Sequence, residues 1–321
     1  MMRNLISLVL ATIFAVTAQA ADYPAKPIRV LVPFAPGGVV DTSTRILTNR
    51  ISEKLGWQFV VDNRPGANGF LATGTAARAT ADGYTLLSAH TGEFAVTPLL
   101  FRETPYDFDR DFTPVIMVSD APMLVVVNAG SPFNTLKDLI AGAKAKPGQL
   151  TFGSPGTGSV NHMATEWLVA AAGAKALHVP YKGGAPAVSA VASNEVVFTV
   201  AGLPGVLPHL QAKRVKVLGV TTAKRSPQVP DYMSAQEAGI PGVDASIWVG
   251  LFAPKGTSKE ILAQLYKAAA DALTQSDVKQ RYATVGGADT TTLGSAEFTK
   301  RIRADIERYR KVVAQVGIKQ Q

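Results

Sequence analysis

Short apolar runs alternate with helical patterns along almost the whole chain. Ile28–Pro33 is an apolar run typical of a buried strand, and Thr42–Leu55 has helical periodicity and is followed by a glycine, which often ends helices. Gln58–Asp62 and Thr85–Ser88 are the next predicted strands, with a predicted helix over Gly69–Arg78 between them. This β-α-β-α order predicts an α/β fold with a parallel, doubly wound sheet.

The same alternation starts again in the middle of the chain. The predicted elements of this second unit are strand Met123–Asn128, helix Thr135–Lys144, strand Leu150–Gly153, helix Ser159–Ala172 and strands Val196–Val200 and Val215–Val220. Two such units suit a chain of 321 residues, because a domain usually contains about 100–200 residues. We therefore expect two α/β domains, each with its own core.

The last part of the chain is predicted to be helical. The run Thr257-Ser258-Lys259-Glu260 has the pattern of a capping box and predicts a helix from there to about Thr274. A final helix is predicted from about Ala296, with an apolar stripe on one face and many Lys and Arg residues on the other. We interpret that basic face as a solvated helix surface.

The first 20 residues have the pattern of a secretory signal peptide. Arg3 is the only charged residue before Asp22, the apolar stretch Leu5–Val16 follows it, and an A-x-A site ends at Ala20. This stretch is shorter than the about 20 residues that a transmembrane helix needs. We therefore expect residues 1–20 to be removed after Ala20, and the mature protein to be soluble outside the cytoplasm.

The composition excludes several classes of protein. Apolar residues make up 47% and charged residues 17%, which excludes a disordered chain or a coiled coil. The sequence has no cysteine, so it has no disulfide, thiolate metal site or cysteine nucleophile. The net charge of +8 leaves nucleic acids, anionic surfaces and small anions open as partners. Export argues against nucleic acid.

Two glycine-rich turns carry the candidate chemistry. Phe34–Asp41 connects the first predicted strand to its helix, and Phe152–Ser159 does the same in the second unit. Glycine lets a ligand approach the backbone, and a helix N-terminus presents unpaired N–H groups with a partial positive charge. Each turn is therefore a candidate anion site, and the pair indicates a cleft that holds an anion from both sides. The alternative is that both are ordinary strand-to-helix turns.

The sequence lacks the more specific motifs of nucleotide-binding proteins, hydrolases and metal sites. Neither turn has the lysine of a P-loop, Gly156-Thr157-Gly158 lacks the third glycine of a dinucleotide-binding fingerprint, and Phe152 stands where a hydrolase elbow needs glycine. The four histidines have no metal-ligand spacing. His162 could face the cleft from the first turn of its helix, whereas His178 lies in a strand and is interpreted as structural. We expect no catalytic residue, metal or cofactor.

Several segments together resemble a known family. They are Phe34–Gly38 with Asp41, Asn63–Gly69, Pro105–Asp107 with Asp111–Val115, Lys146–Gly148, Gly153–His162, His178–Gly183, Lys224–Ser226, Glu237–Gly242 and Trp248–Thr257. In this order they resemble the Bug family, the extracytoplasmic solute receptors of tripartite tricarboxylate transporters. The resemblance covers nearly the whole mature chain.

The resemblance implies a two-lobe periplasmic binding protein with a Venus-flytrap, type II-like α/β fold. Lobe 1 would comprise residues 22–122 and 245–321, and lobe 2 residues 123–244, with chain crossings near Ser119–Pro122 and Asp244–Trp248. It also implies a monomeric, non-enzymatic periplasmic receptor without a cofactor. Such a receptor binds a small carboxylate (a mono- or dicarboxylate, an amino acid or an aromatic acid) and delivers it to separate large and small membrane subunits.

The resemblance also implies which residues contact the ligand. The first turn and the loop near Asn68 would contact it from lobe 1, and the second turn and the segment after His178 from lobe 2. The expected ligand-binding residues are Phe34, Ala35, Gly38, Asp41, Ala67, Asn68, Thr91, Glu93, Ser154, Thr157, Gly158, Ser159, His162, Tyr181, Lys182 and Gly202.

Two acidic residues complicate an anion site. Asp41 could contact the ligand or could only stabilise the positive end of its own helix. Glu93 lies where the resemblance leads us to expect a neutral loop, and in the cleft it would repel a second carboxylate. We therefore expect a monocarboxylate or an amino acid rather than a citrate-like ligand. The alternative functions are a secreted hydrolase or isomerase, using Asp41, His162 or Glu93 as acid–base groups, and a ligand sensor without a transport role.

Overall fold

The chain folds into two α/β lobes in a computed structural model, which describes residues 23–318 and residue 320. In chain order the strands are β1 (Ile28–Val32), β2 (Phe59–Asn63), β3 (Thr85–His90), β4 (Phe112–Pro122), β5 (Leu124–Asn128), β6 (Thr151–Ser154), β7 (Leu177–Pro180), β8 (Phe198–Ala201), β9 (Val215–Val220), β10 (Ser246–Pro254) and β11 (Asp289–Thr290). The expected signal peptide and its cleavage site lie outside the described residues.

Helices separate most of these strands. They are α1 (Val39–Leu55), α2 (Phe70–Ala77), α3 (Thr97–Leu100), α4 (Phe108–Asp111), α5 (Leu136–Ala145), α6 (Val160–Ala171), α7 (Gly184–Ala192), α8 (Leu203–Gln211), α9 (Lys259–Leu273), α10 (Ser276–Arg281) and α11 (Ser295–Val316). Within residues 23–318, the structure contains no helix with the length and apolar character to cross a membrane.

The two sheets share one arrangement. The first has the order β11-β4-β10-β3-β1-β2 and the second β7-β6-β8-β5-β9. In each sheet three parallel strands (β2-β1-β3 and β7-β6-β8) are followed by an antiparallel strand, β10 or β5. Because crossover helices connect the parallel strands, their carboxyl ends lie at one edge of each sheet, where α/β proteins bind ligands. This confirms the predicted two-lobe α/β fold.

The register of the first sheet places β1 in the core. Val30 of β1 pairs with Val61 of β2 and with Leu86 of β3, and both Val30 and Leu86 are fully buried. Burial on both faces explains why β1 is an uninterrupted apolar run, as is typical of parallel sheets covered by helices.

The helix boundaries follow from local backbone chemistry. Helix α1 begins at Val39 rather than at the predicted Thr42, because the extended Gly38 is itself its N-cap, and it ends at the left-handed Gly56, as predicted. The predicted start of α9 was one residue early. Ser258 is its N-cap and accepts a hydrogen bond from the N–H of Ile261.

The lobes are joined by neighbouring strands and by the last helix. The chain leaves the first sheet at the end of β4 and returns into β10, where Pro122 and Ser246 are paired. Along α11, Phe298 is buried in the core of the first lobe, whereas Tyr309 and Val312 are buried in the hydrophobic cluster that contains the core of the second lobe. Helix α11 therefore packs against both lobes, and the expected boundary at residue 245 stays a prediction.

Candidate functional site

A cavity lies between the two lobes at the carboxyl ends of their parallel strands. Its volume is about 80 Å³. Its walls are formed by Phe34, Ala35, Pro36, Gly38, Val39, Val40, His90, Pro155, Ser159, Asn161, Gly183, Gly184, Ala185, Pro186, Ala201, Gly202, Gly205 and Ile247. The walls are mostly apolar, and neither Lys nor Arg is among these residues.

Four helices begin at this cavity. Their N-cap residues are Gly38 of α1, Ser159 of α6, Gly183 of α7 and Gly202 of α8. The three glycine caps have no side chain to accept hydrogen bonds from the first helical turn, so these N–H groups are left for a ligand. Each helix N-terminus also carries about half a positive charge. The cavity is therefore suited to an anion through backbone groups alone.

The polar side chains of the cavity are few and held in place. The amide of Asn161 donates to the carbonyl oxygen of Val200 at 2.9 Å, and the hydroxyl of Ser159 accepts from the N–H of His162 at 3.2 Å. Fixed donors and acceptors in an apolar wall orient a small ligand without adding much conformational entropy cost on binding.

His90 lies at the cavity, and Glu93 lies behind it. Oε2 of Glu93 accepts a hydrogen bond from the His90 N–H at 2.8 Å and is 2.7 Å from Nδ1 of the imidazole. Glu93 is fully buried, whereas His90 is in the cavity wall with its ring 4.6 Å from that of Phe34. The expectation that the Glu93 carboxylate faces a ligand is therefore not met, because the imidazole stands at the cavity in its place.

Asp41 is also turned away from the cavity. Its Oδ1 accepts hydrogen bonds from Arg45 Nε and Asn63 Nδ2, both at 2.9 Å, and its Oδ2 accepts from the Gly37 N–H at 2.9 Å. The carboxylate is buried, and both of its oxygens accept hydrogen bonds from residues of lobe 1. Of the two expected roles, the geometry supports the one at the start of α1, where Asp41 holds the first glycine turn.

Other predicted residues connect the lobes beside the cavity. The amide of Asn68 donates to the carbonyl oxygen of Thr157 at 2.6 Å. A Cβ on Gly158 would lie 2.8 Å from the ring of Phe101, in the opposite lobe. Ala67 precedes Asn68 in the same left-handed turn and is exposed. Asn68 and Gly158 contact the other lobe, and none of these residues lines the cavity.

Ser154 and His162 form their contacts within lobe 2 and do not line the cavity. The Ser154 hydroxyl is 2.6 Å from His178 Nε2, and the His178 ring stacks on the His162 ring at 3.9 Å. His162 Nδ1 accepts the Gly158 N–H at 3.1 Å, so this ring supports the second turn from behind. Burial, with the neighbouring His162, lowers the pKa of His178 to about 4. His178 is therefore neutral at neutral pH.

The remaining predicted residues also lie off the cavity wall. The Tyr181 hydroxyl donates to Glu195 Oε1 at 2.8 Å, and burial together with Glu195 raises the pKa of Tyr181 to about 12. Lys182 is exposed. Thr91 is buried, and its Oγ1 accepts the N–H of Trp248 at 3.1 Å.

Five predicted residues line the cavity, namely Phe34, Ala35, Gly38, Ser159 and Gly202. Sequence reasoning missed His90, Asn161 and the segment Gly184–Pro186. A sequence signal for this segment exists, because Gly183-Gly184 lies between a strand and a helix, as do the two predicted glycine-rich turns. Asp41, His162 and Glu93 do not meet at the cavity, and the described residues include no group of three metal-ligating side chains.

Comparisons with known proteins show which proteins this chain is similar to. The model of the family described as "Tripartite tricarboxylate transporter family receptor" matches residues 43–318. The chain is 36% identical to protein BugT of Bordetella pertussis over 307 residues, which is 95% of this chain and 94% of BugT.

Two solved structures are similar over their whole length. Rpa4515 of R. palustris, determined with adipate, has 34% identity and a TM-score of 0.90, and the match covers 94% of this chain and 100% of that one. MatC (Rpa3494) of Rhodopseudomonas palustris, with bound malate, has 32% identity and a TM-score of 0.83 over 91% of this chain and 100% of that one. The chain therefore belongs to the Bug (TctC) family of solute-binding receptors of tripartite tricarboxylate transporters.

Proposed function

We propose that this protein binds a small carboxylate between its lobes in the periplasm and delivers it to the membrane subunits of a tripartite tricarboxylate-type transporter. The observation that carries the proposal is the convergence of four helix N-termini on a cavity whose walls contain no Lys or Arg. The adipate and malate bound by two relatives are both carboxylates, which supports the same ligand class here.

Binding would stabilise the arrangement in which the lobes touch. A carboxylate between the lobes accepts hydrogen bonds from N–H groups of α1 in one lobe and of α6, α7 and α8 in the other. Its contacts are therefore complete only when both lobes close on it. A ligand with this preference shifts the protein towards the closed state. The apolar walls exclude water and thereby strengthen the hydrogen bonds to the backbone.

Family membership supports the transport role and export, and cleavage after Ala20 rests on the sequence pattern of residues 1–20. A sensor without a transport role would use the same fold. Deleting the genes for the membrane subunits separates the two roles, because uptake of the acid is lost only if this receptor feeds the transporter. The proposal includes no catalytic role, because the acid–base candidates Asp41, His162 and Glu93 are not among the residues of the cavity wall.

A thermal-shift screen of the mature protein tests the ligand class. Carboxylates, amino acids and aromatic acids are compared with neutral sugars, and an acid at 100 times its Kd should stabilise the fold by about 2.7 kcal/mol. Lys182→Ala is the matched control, since this exposed lysine is off the cavity wall and its loss should leave binding unchanged. A shift with sugars alone, or loss of acid binding in the control variant, would contradict backbone recognition of an anion.

A further inference from the structure

His162 lies behind the part of the second glycine turn that contacts lobe 1. Gly158 is buried and left-handed, with φ +81°, and its N–H donates to Nδ1 of His162 at 3.1 Å. The same turn contacts the other lobe, because the carbonyl oxygen of Thr157 accepts a hydrogen bond from Asn68 and Gly158 leaves no room for a Cβ beside Phe101. The imidazole therefore supports the lobe contact, although it is off the cavity wall.

This hydrogen bond determines the protonation of the His162 ring. Nδ1 accepts the N–H of Gly158 and so carries no proton, which leaves the proton of the neutral imidazole on Nε2. A second proton would occupy the lone pair of Nδ1 and place two N–H groups against each other. The turn would then have to move, and the buried N–H of Gly158 would lose its acceptor. The observed position of the turn therefore requires a neutral His162.

Two titratable side chains lie next to the His162 ring. Oε1 of Glu166, one turn further along α6, is 3.6 Å from Nε2 and compensates the charge of the imidazole when it is protonated. The ring of His178, on β7, stacks on that of His162 at 3.9 Å. Burial, with His162 beside it, lowers the pKa of His178 to about 4. His178 is therefore neutral at pH 5 and above, and does not repel a proton on His162 in that range.

The charged groups of the other elements that pack against α6 are paired elsewhere or absent. Strands β6 and β8 contain no charged residue, and Glu93, in the segment between β3 and α3, pairs with His90. Within residues 23–318, no ion pair joins α11 to His162 or His178. Glu166 is therefore the acid that is paired with the ring in the described part of the chain.

We propose that His162 is a positioning residue for ligand binding, and that its protonation releases the second turn from lobe 1, so that the receptor holds its acid less tightly at acidic pH. The inference rests on the proposed function and adds a dependence on the pH outside the cytoplasm. A proton that disfavours the closed lobes is in turn released when the ligand closes them, because the coupling between two binding events is reciprocal.

Titration at pH 8 and at pH 5 tests this coupling, because imidazole is the side chain that ordinarily changes its charge in this range. The probe is the acid with the largest shift in the thermal-shift screen, in which adipate is included. His162→Asn keeps an amide oxygen near the position of Nδ1 but has no group that titrates. The rise in Kd from pH 8 to pH 5 should be roughly 5-fold or more larger in the wild type than in His162→Asn, as expected for the loss of one hydrogen bond. Protonation of the acid itself affects both proteins equally and cancels.

Two further variants separate positioning of the turn from a general loss of structure. His162→Leu fills similar space without an acceptor, so it should bind weakly at both pH values, whereas His162→Asn should restore binding at pH 8. His209→Asn is the matched control, since His209 lies on α8, off the cavity wall, with Nε2 3.4 Å from the hydroxyl of Ser189. This control should keep the pH profile of the wild type. If His162→Leu does not fold, the comparison of the wild type with His162→Asn still decides.

The protonation of the ring can also be observed directly. Nitrogen-15 NMR of the ligand-bound protein at pH 8 should show His162 with Nδ1 unprotonated and Nε2 protonated. A proton on Nδ1 in that state, or the same dependence of Kd on pH in the wild type and His162→Asn, would overturn the proposal. If no acid binds at pH 8, the proposed function fails instead.

Discussion

Replacing Gly202 with alanine should weaken ligand binding by obstructing the contact between the lobes. Gly202 has φ −76° and ψ 152°, an extended conformation that any residue adopts, so alanine causes no backbone strain in lobe 2. However, a Cβ at this position would lie 2.2 Å from Cγ2 of Val39 at the start of α1. The added methyl group therefore acts only when the lobes are together.

The size of the effect follows from the closeness of that contact. Atoms 2.2 Å apart must separate by more than 1 Å to reach ordinary van der Waals distance, and valine in a helix has one strongly preferred rotamer, so Val39 cannot simply turn away. Overpacking of this kind costs about 1–3 kcal/mol, which corresponds to roughly a 5- to 150-fold rise in Kd.

The assay is a double-mutant cycle measured by titration with the best acid from the screen. Val39→Ala removes Cγ2, so Gly202→Ala should raise the Kd strongly with Val39 present and by less than about 2-fold with alanine at residue 39. The cycle also removes any direct effect of either side chain on the ligand. Wild-type affinity of the single variant Gly202→Ala, or an equal loss in both backgrounds, would refute the role of lobe contact.

Three further predictions concern the groups around the site. Because burial lowers the pKa of His178 from 6.5 to about 4, its stabilising effect is complete above pH 6.5 and is lost as the pH falls towards 4. The loss of unfolding free energy is at most about 3.4 kcal/mol, and nearer 1–2 kcal/mol because the ring is partly exposed. The unfolding free energy of His178→Gln, measured in urea, should therefore fall less with decreasing pH than that of the wild type. An equal dependence on pH in the two proteins would contradict this. Asn68→Gly keeps the left-handed turn but removes the hydrogen bond to Thr157. It should raise the Kd of the ligand about 2- to 10-fold without lowering the melting temperature. Unchanged affinity would show that this hydrogen bond does not stabilise the closed lobes. Asp305→Ala leaves the buried indole N–H of Trp248 without its acceptor and removes one of the two carboxylates paired with Arg301, which keeps Asp120 at 3.0 Å. It should destabilise the fold by about 1–3 kcal/mol in chemical unfolding, whereas a loss below about 1 kcal/mol would show that the group is dispensable.

Local sequence signals predicted the fold well because each is complete within a short segment. The apolar run at Ile28–Val32 and the glycine at residue 56 specify a buried strand and a helix end wherever they occur. The turn at Gly38 and the cap at Ser159 likewise follow from strand-to-helix patterns, and both lie at the cavity.

The direction of individual side chains could not be read from the sequence. Glu93 points inward because it lies in a π-helical turn, Gly92–Val96, which packs it behind His90. Asp41 is directed by Arg45 and Asn63, and the partner Asn63 lies 22 residues away. Such contacts depend on how segments far apart in the sequence pack together. The ligand-binding residues predicted from the sequence therefore include residues that support the cavity wall without forming it.

The most direct test of carboxylate recognition by the helix N-termini is a crystal structure with the acid that binds best. The account predicts that a carboxylate of the ligand lies in the cavity with its oxygens about 2.7–3.1 Å from backbone N–H groups in the first turns of α1, α6, α7 or α8. A ligand whose carboxylate lies on Lys182 or another exposed basic side chain, with the helix N-termini left free, would contradict it.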